Sequence, residues 1–197
     1  MEMSQRDTQL CESIFKDIVS RQTEALMFHN RMADMYDFLG LMGFKRMHEY
    51  QYFAESAGAR GTRRYFINHH NKLVMEGAVT EPKVIPAEWV KYTRFDVTPQ
   101  VRKQAVERSF EEYNDWESDT KQLYEGYAKQ LFEAGFIADY NKVMDLVKDV
   151  DQELKYLDRM LIKLRSVSFD AIYVASIQDE LHEHYKEKQK DIGIDIC

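Results

Sequence analysis

The stretch YNKVMDLVKDVDQELKYLDRMLIKL, residues 140–164, carries the most regular hydrophobic pattern in the chain. Its apolar and tyrosine side chains recur at alternating spacings of three and four residues: Tyr140, Val143, Val147, Val150, Leu154, Leu157, Leu161 and Leu164. This spacing places one continuous apolar stripe along one face of an α-helix. Because such a stripe must be buried against other helices, the stretch predicts a helical bundle.

The prolines divide the rest of the chain. Pro82, Pro86 and Pro99 are the only three, and they lie between residues 82 and 99. Since proline breaks helix interiors, the regions on either side are free to be helical. We predict helices over approximately residues 5–40, 44–77, 98–134, 138–165 and 169–188, with a connection over residues 78–97. Within the second helix, the pattern of residues 56–64 fits either a continuous helix or a turn.

The lengths of the connections predict the topology. The first two helices and the next two are joined by short links, so each pair should form an antiparallel hairpin. An extended connection of about 20 residues reaches roughly 60 Å, which exceeds the roughly 45 Å of a helix of about 30 residues. The connection between the second and third helices therefore lets these two lie parallel. We predict one all-α domain over residues 1–197, a four-helix bundle followed by a short fifth helix.

Composition argues against several classes of protein. The formal net charge of −7 argues against a protein that coats nucleic acid, because such proteins bind phosphates through lysine and arginine. No stretch reaches the roughly 20 apolar residues that cross a membrane, and residues 1–10 lack the apolar run of a signal peptide. Two cysteines, Cys11 and Cys197, are too few for a disulfide framework, so we expect a reducing, cytoplasmic setting.

Three stretches resemble parts of a known architecture. EALMFHNRMADMYDFLGL, residues 24–41, is similar to the first helix of ferritins with its glutamate ligand. NHHNKLVMEGAVTEPKVIPAEW, residues 68–89, resembles the end of the second ferritin helix and its turn into the long connection. QLYEGYAKQLFEAGFIADYNKVMDLVKDVDQELKYL, residues 122–157, resembles the hairpin of the third and fourth helices. The chain thus resembles the ferritin-like superfamily, which implies a four-helix bundle around a di-iron carboxylate centre.

The chain departs from that family at the metal ligands. The family's Glu-x-x-His on the second helix is absent: the stretch GARGTRRYFINHH, residues 58–70, has no Glu or Asp three residues before His69 or His70. On the fourth helix, Asp149 and Glu153 stand one residue to the side of the apolar stripe. We therefore interpret the chain as a ferritin-like bundle whose di-iron centre is altered or lost.

Two ionisable residues nevertheless fall on predicted apolar faces, Glu117 on the third helix and His70 on the second. A buried carboxylate needs a hydrogen-bond partner or a cation. One interpretation is an isolated Glu–His or Glu–Tyr hydrogen bond in a core rich in tyrosine. The alternative is a mixed carboxylate–imidazole site for iron or manganese, formed by Glu24, His70 and Glu117 with Glu153 as an outlying fourth ligand.

A basic cluster offers a different kind of site. Arg60, Arg63 and Arg64 lie beside Gly58 and Gly61, and guanidinium groups next to glycine-rich backbone are suited to phosphate or carboxylate. The spacing matches neither a P-loop nor a dinucleotide-binding motif. The alternative is an ordinary surface with solvated or salt-bridged arginines.

Three functional hypotheses follow. The first is a ferritin-like bundle that acts by binding a protein partner or by assembling into a homo-oligomer, with a degenerate metal site and no enzymatic activity indicated. The second is a di-iron or di-manganese carboxylate protein, either an oxidase or an iron-handling protein. The third is a protein that binds a phosphate or nucleotide through Arg60, Arg63 and Arg64.

Overall fold

A computed structural model of the chain describes residues 5–82 and 93–191, with side chains over residues 9–82 and 93–188. The helices are α1 (Gln5–Leu39), α2 (Met42–His70), α3 (Pro99–Glu133), α4 (Ile137–Ser166) and α5 (Ala171–Asp191). A short 3₁₀ turn, Arg94–Asp96, precedes α3. The described part of the chain contains no strand, which confirms the predicted all-α class. None of these helices combines the length and apolar character needed to span a membrane.

The helix boundaries follow from local chemistry. Thr98 caps α3 by accepting a hydrogen bond from the backbone N–H of Val101 at 3.2 Å, and Pro99 is the first helical residue. Gly40 and Gly135 have φ angles of +71° and +81°, a region that glycine adopts without steric cost, and they occupy the two tight turns between α1 and α2 and between α3 and α4. These two short turns were predicted from the sequence.

The second helix differs from its prediction at one end. It is continuous through residues 56–64, but it ends at His70 rather than near Gly77. Asn71 adopts the left-handed conformation (φ 56°) and donates its N–H to the carbonyl of Ile67, which terminates the helix. Val74 follows this turn on non-helical backbone and is still buried. Because this apolar residue continues the apolar spacing of α2, the sequence predicted a longer helix. Residues 83–92 of the predicted connection lie outside the described part of the chain.

The packing of the helices agrees with a ferritin-like four-helix bundle plus a short C-terminal helix. Helix α1 packs along α2, α3 packs along α4, and α5 packs against α2. At the last contact Gly43 is essential, because a Cβ atom there would overlap the backbone of Gln178. The N–H of Gly43 donates to the side-chain Oε1 of Gln178 at 3.1 Å.

The core consists of two hydrophobic clusters rather than one. The first lies where the end of α1 and the beginning of α2 meet α5, and the second lies where α1 begins and α4 begins. Five of the eight predicted stripe residues of α4 are buried, namely Val143, Val147, Leu157, Leu161 and Leu164. Val150 and Leu154, in the middle of the stripe, are only half-buried. The stripe is therefore interrupted at the level where the two clusters are separated by polar residues.

Candidate metal centre

A cavity of about 250 Å³ lies between the two hydrophobic clusters, and all four helices of the bundle line it. Its charged residues are Arg21 of α1, Glu55 of α2, Glu117 of α3, and Asp149 and Glu153 of α4. Asp149 stands at the exposed edge. We call Arg21, Glu55, Glu117 and Glu153 the central acidic layer.

The three glutamates of this layer resist ionisation because they are removed from water. Burial raises the pKa of Glu55 to about 7 and those of Glu117 and Glu153 to about 8. Repulsion between the carboxylates adds to this effect: Glu55 raises the pKa values of both Glu117 and Glu153. The pKa of Glu55 is raised in addition by the neighbouring Asp149, so Glu55 interacts with the carboxylates on both α3 and α4.

The glutamates differ in their partners. Glu153 accepts hydrogen bonds from the hydroxyl of Tyr113 and the amide of Gln51. Glu117 is only 4% exposed, yet it makes no hydrogen bond or ion pair with any described residue, and the same holds for Glu55. Both carboxyl groups therefore face the cavity without a donor.

Arg21 is the basic residue that lines the cavity, and its guanidinium is held in place by α3. Its Nε donates to the hydroxyl of Thr120 at 2.8 Å and a terminal nitrogen donates to the carbonyl of Trp116 at 3.0 Å. The guanidinium also stacks 3.4 Å above the ring of Trp116. Arg21 lowers the pKa of Glu117, but more weakly than burial and Glu55 raise it. The fixed guanidinium thus offsets only part of the negative charge.

The structure brings together two of the four residues predicted as metal ligands. Glu117 and Glu153 line the same cavity. Glu24 does not line it: its carboxylate accepts from the backbone N–H of Thr80 at 2.7 Å and lies 3.5 Å from Arg21. His70 lies at a different level of the bundle, beside Asp139.

Glu55 was not predicted from the sequence, although a signal was present. Glu55 and Gly58 have the three-residue spacing of the Glu-x-x-His motif, with glycine in the position of histidine. The motif was expected within residues 58–70, just after this point. Gly58 also lines the cavity, so the absence of a side chain there leaves space rather than a ligand.

A second acidic site lies at one end of the bundle. Asp139, 2% exposed, accepts hydrogen bonds from the hydroxyl of Tyr65 at 3.0 Å, Nε2 of His70 at 2.8 Å and Sγ of Cys11 at 3.7 Å. We call these four residues the bundle-end cluster. Among the described residues, Cys11, His70 and Asp139 are the one group of three or more potential metal ligands whose ligand atoms all lie within 4.8 Å of one another. The glutamates of the central acidic layer are therefore spaced more widely.

Two histidines form a buried pair that was also not predicted from the sequence. The Nδ1 atoms of His29 and His48 are 3.0 Å apart, and both side chains are 1% exposed. Burial lowers the pKa of His29 to about 3 and lowers that of His48 as well. Both rings are therefore neutral, and one donates its Nδ1 hydrogen to the other.

The predicted anion site lies on one face of α2. Arg60, Arg63 and Arg64 line an open groove together with Tyr50 and Phe53. Arg63 is paired with Glu76 at 3.0 Å, whereas Arg60 and Arg64 are exposed.

Solved structures of other proteins share this fold. An open-pore ferritin from the archaeon Archaeoglobus fulgidus matches with a TM-score of 0.70 at 20% identity, covering 91% of this chain and 96% of that chain. A ferritin from the green alga Ulva pertusa matches with a TM-score of 0.74 at 16% identity, covering 88% and 83%. Apo-ferritin from Pseudo-nitzschia multiseries matches with a TM-score of 0.68 at 13% identity, covering 86% and 97%.

A further similar structure is that of a PmFTN variant soaked in iron. No model of a protein family matches the sequence, and no curated protein is significantly similar to it. The structural matches confirm that the chain has a ferritin-like fold.

Proposed function

We propose that this chain binds a divalent transition-metal cation, iron or manganese, in the central acidic layer. The observation that carries the proposal is that Glu55, Glu117 and Glu153, from three different helices, share one internal cavity. In this proposal the layer is an altered form of a ferritin-like metal centre, and Glu55 replaces His70 and Glu24 in the ligand set predicted from the sequence.

The charge of the layer supports a cation. When all its groups are ionised, three carboxylates and one guanidinium give a net charge of −2 (1 − 3). A divalent cation would neutralise this charge, whereas without one the carboxyl groups must stay protonated or remain charged out of water, which is costly. Glu117 and Glu55 have no donor among the described residues that could take over this role.

The donor set fits a hard cation. The candidate ligand atoms of the layer are carboxylate oxygens, which suit manganese and iron better than soft metals. The carboxylate oxygens of Glu55, Glu117 and Glu153 do not all lie within 4.8 Å of one another. The three side chains would therefore have to rotate towards a shared cation. The cavity of about 250 Å³ provides room for this rotation and for water. A cation bound there would supply a Lewis acid inside the bundle.

Self-assembly is the second part of the proposal. The turn between α3 and α4 exposes two large apolar side chains, Phe132 at 58% and Ile137 at 51%. Contact between two copies at this turn would remove both side chains from water, which is favourable. We propose that the chain forms a homo-oligomer; light scattering coupled to gel filtration would show a single monomer mass if this part is wrong.

Metal content tests the central part of the proposal. The protein is purified from medium supplemented with iron and manganese, and both elements are measured for the parent, Glu117→Gln and a control, Glu125→Gln. Glu125 is exposed on the same helix. We expect near-stoichiometric metal in the parent and control and its loss in Glu117→Gln. A parent free of iron and manganese would overturn the proposal.

A further inference from the structure

The bundle-end cluster combines three kinds of metal ligand on three helices. Cys11 comes from the first turns of α1, His70 is the last residue of α2, and Asp139 is in the first turn of α4. Cys11 is fully buried, and the side chains of His70 and Asp139 are 5% and 3% exposed. A thiol, an imidazole and a carboxylate therefore meet away from bulk water.

The spacing of the ligand atoms fits one ion. Nε2 of His70 lies 2.8 Å from one carboxylate oxygen of Asp139, and Sγ of Cys11 lies 3.7 Å from the other. In a tetrahedral zinc site, bonds of about 2.0–2.3 Å place the ligand atoms roughly 3.3–3.8 Å apart. Small rotations of these side chains would bring all three to that separation.

We propose that Cys11, His70 and Asp139 form a zinc-binding site separate from the central acidic layer. The sulfur and nitrogen donors distinguish it from that layer, which offers carboxylate oxygens. The site does not depend on the function proposed for the layer, because no residue is shared between them.

Neighbouring residues hold the ligands in position. The hydroxyl of Tyr65 donates to the Asp139 oxygen that faces His70, which orients the carboxylate. The ring of Phe66 stacks on the ring of His70 with centroids 4.5 Å apart, which limits rotation of the imidazole. Such supporting contacts are typical of metal ligands and fix their orientation.

An opening to the surface provides an entry path and room for a fourth ligand. His70 and Asp139 line a surface depression of about 360 Å³ next to the turn at Gly135. With three protein ligands, the fourth position would take water, as in zinc sites that act on a substrate.

Binding exchanges protons for the metal. The Cys11 thiol releases its proton to solvent when the sulfur binds zinc as a thiolate. Nε2 of His70 donates its hydrogen to Asp139 in the structure, so it must first lose this hydrogen; exchange with water places the hydrogen on Nδ1, and the ring then binds zinc through Nε2. The hydrogen bonds from Cys11 and His70 to Asp139 are replaced by bonds to the ion, and no group is oxidised or reduced.

Cobalt is the probe, because a thiolate bound to Co²⁺ gives a charge-transfer absorption band that oxygen and nitrogen ligands do not. The metal-free full-length chain is titrated with Co²⁺ without oxygen, and Zn²⁺ is then added in competition. We expect the band in the parent, its disappearance on adding zinc, and its loss in Cys11→Ser. The matched control is Cys197→Ser, since Cys197 is the chain's only other cysteine, and it should keep the band.

Two further variants distinguish loss of this site from loss of the central acidic layer and from loss of folding. Glu117→Gln should keep the thiolate band, so that failure of the central layer and failure of the zinc site give different results. If Cys11→Ser loses its helical circular dichroism signal, the variant has not folded, and the zinc affinity of His70→Gln is measured instead. Its affinity for zinc should fall at least roughly tenfold, the lower end of the loss seen for changes around metal ligands. No thiolate band in the parent, a band that persists in Cys11→Ser, or unchanged zinc affinity in His70→Gln would overturn the proposal.

Discussion

The central acidic layer and the bundle-end cluster both contain buried carboxyl groups, but these groups differ in the number of hydrogen bonds that they accept. Asp139 accepts hydrogen bonds from three side chains of the bundle-end cluster. Glu117 is about as deeply buried and has no bonded partner among the described residues. The difference shows that the fold can surround a buried carboxylate with donors, and that in the cavity it provides donors for Glu153 but not for Glu117 or Glu55. A cation at Glu117 and Glu55 would displace no hydrogen bond of these carboxylates, whereas zinc at the bundle-end cluster would replace the bonds that Cys11 and His70 donate to Asp139.

The largest change in stability is expected from removing Asp139, the buried carboxylate that accepts hydrogen bonds from three side chains. Asp139→Ala should lower the free energy of unfolding by about 3 kcal/mol, because Tyr65, His70 and Cys11 all lose their buried acceptor. Urea unfolding of the metal-free protein measures this. The control is Asp145→Ala, whose exposed carboxylate contacts Lys148 on the surface, and we expect no significant change in its free energy of unfolding. A loss below about 1 kcal/mol for Asp139→Ala would mean that the cluster contributes little.

Removing the charge of Glu117, which accepts no hydrogen bond from the described residues, should instead increase the stability of the metal-free protein. The pKa of Glu117 rises from an ordinary 4.5 to about 8 on folding, so between these pH values the folded chain binds more protons than the unfolded chain. The contribution of Glu117 to the stability of the metal-free parent therefore falls as the pH rises from about 4.5 to about 8. Glu117→Gln removes this contribution and should be about 2 kcal/mol more stable than the parent near pH 8.

The measurement for Glu117→Gln is urea unfolding in the presence of a chelator at several pH values. Well below the ordinary glutamate pKa of 4.5, the parent and the variant should be almost equally stable, because Glu117 is then largely protonated in both the folded and the unfolded state. A variant that is less stable than the parent near pH 8 would show that the ionised carboxylate has a partner in the folded protein.

A smaller effect is expected from the positive charge in the cavity wall. Arg21→Gln removes the guanidinium that offsets part of the layer's negative charge. At an effective dielectric constant of about 20, Coulomb's law gives roughly 3 kcal/mol of repulsion between a guanidinium and a divalent cation about 10 Å apart, so manganese binding should strengthen by at least about 1.4 kcal/mol, or tenfold. Calorimetric titration with Mn²⁺ measures the change, with Arg60→Gln on the surface of α2 as the control. Weaker binding in Arg21→Gln would mean that the arginine supports the site.

The smallest effect concerns the glycine at the cavity. Gly58→Ala should stabilise the chain by about 0.8 kcal/mol, because alanine favours a helix interior. The new Cβ would meet Nε2 of Gln22 at 3.6 Å, an ordinary contact. At Gly61 a new Cβ would have no neighbour within 4 Å, so Gly61→Ala is the control and should give the same gain. Thermal unfolding of the two variants is compared, and any difference in their stability comes from contacts of the new methyl group with the cavity wall. A loss of stability in Gly58→Ala alone would show that the wall has no room for a side chain.

Much of the fold could be predicted because its signals are local. The three- and four-residue spacing of residues 140–164 specifies one helical face, and Gly40 and Gly135 mark turns that require positive φ angles. The end of α2 could not be predicted in this way. Val74 lies on non-helical backbone and is buried, and its spacing of eight residues from Phe66 matches about two more helical turns.

The site was harder to predict because it depends on contacts between distant residues. Glu117 was identified because it interrupts an apolar face of one helix. The pairing of His70 with Asp139 joins residues 69 positions apart, and no spacing within one helix indicates it. Glu55 carried a weak local signal, the three-residue spacing to Gly58, but glycine in place of histidine removed the part of the motif that is easiest to recognise.

The most direct test of metal binding in the central acidic layer is anomalous diffraction from crystals of the full-length chain soaked in Mn²⁺. We expect a manganese peak in the cavity, in contact with carboxylate oxygens of Glu117 and of at least one of Glu55 and Glu153, and no such peak in Glu117→Gln. A parent crystal without a peak in this cavity, or a peak that remains unchanged in Glu117→Gln, would contradict metal binding there.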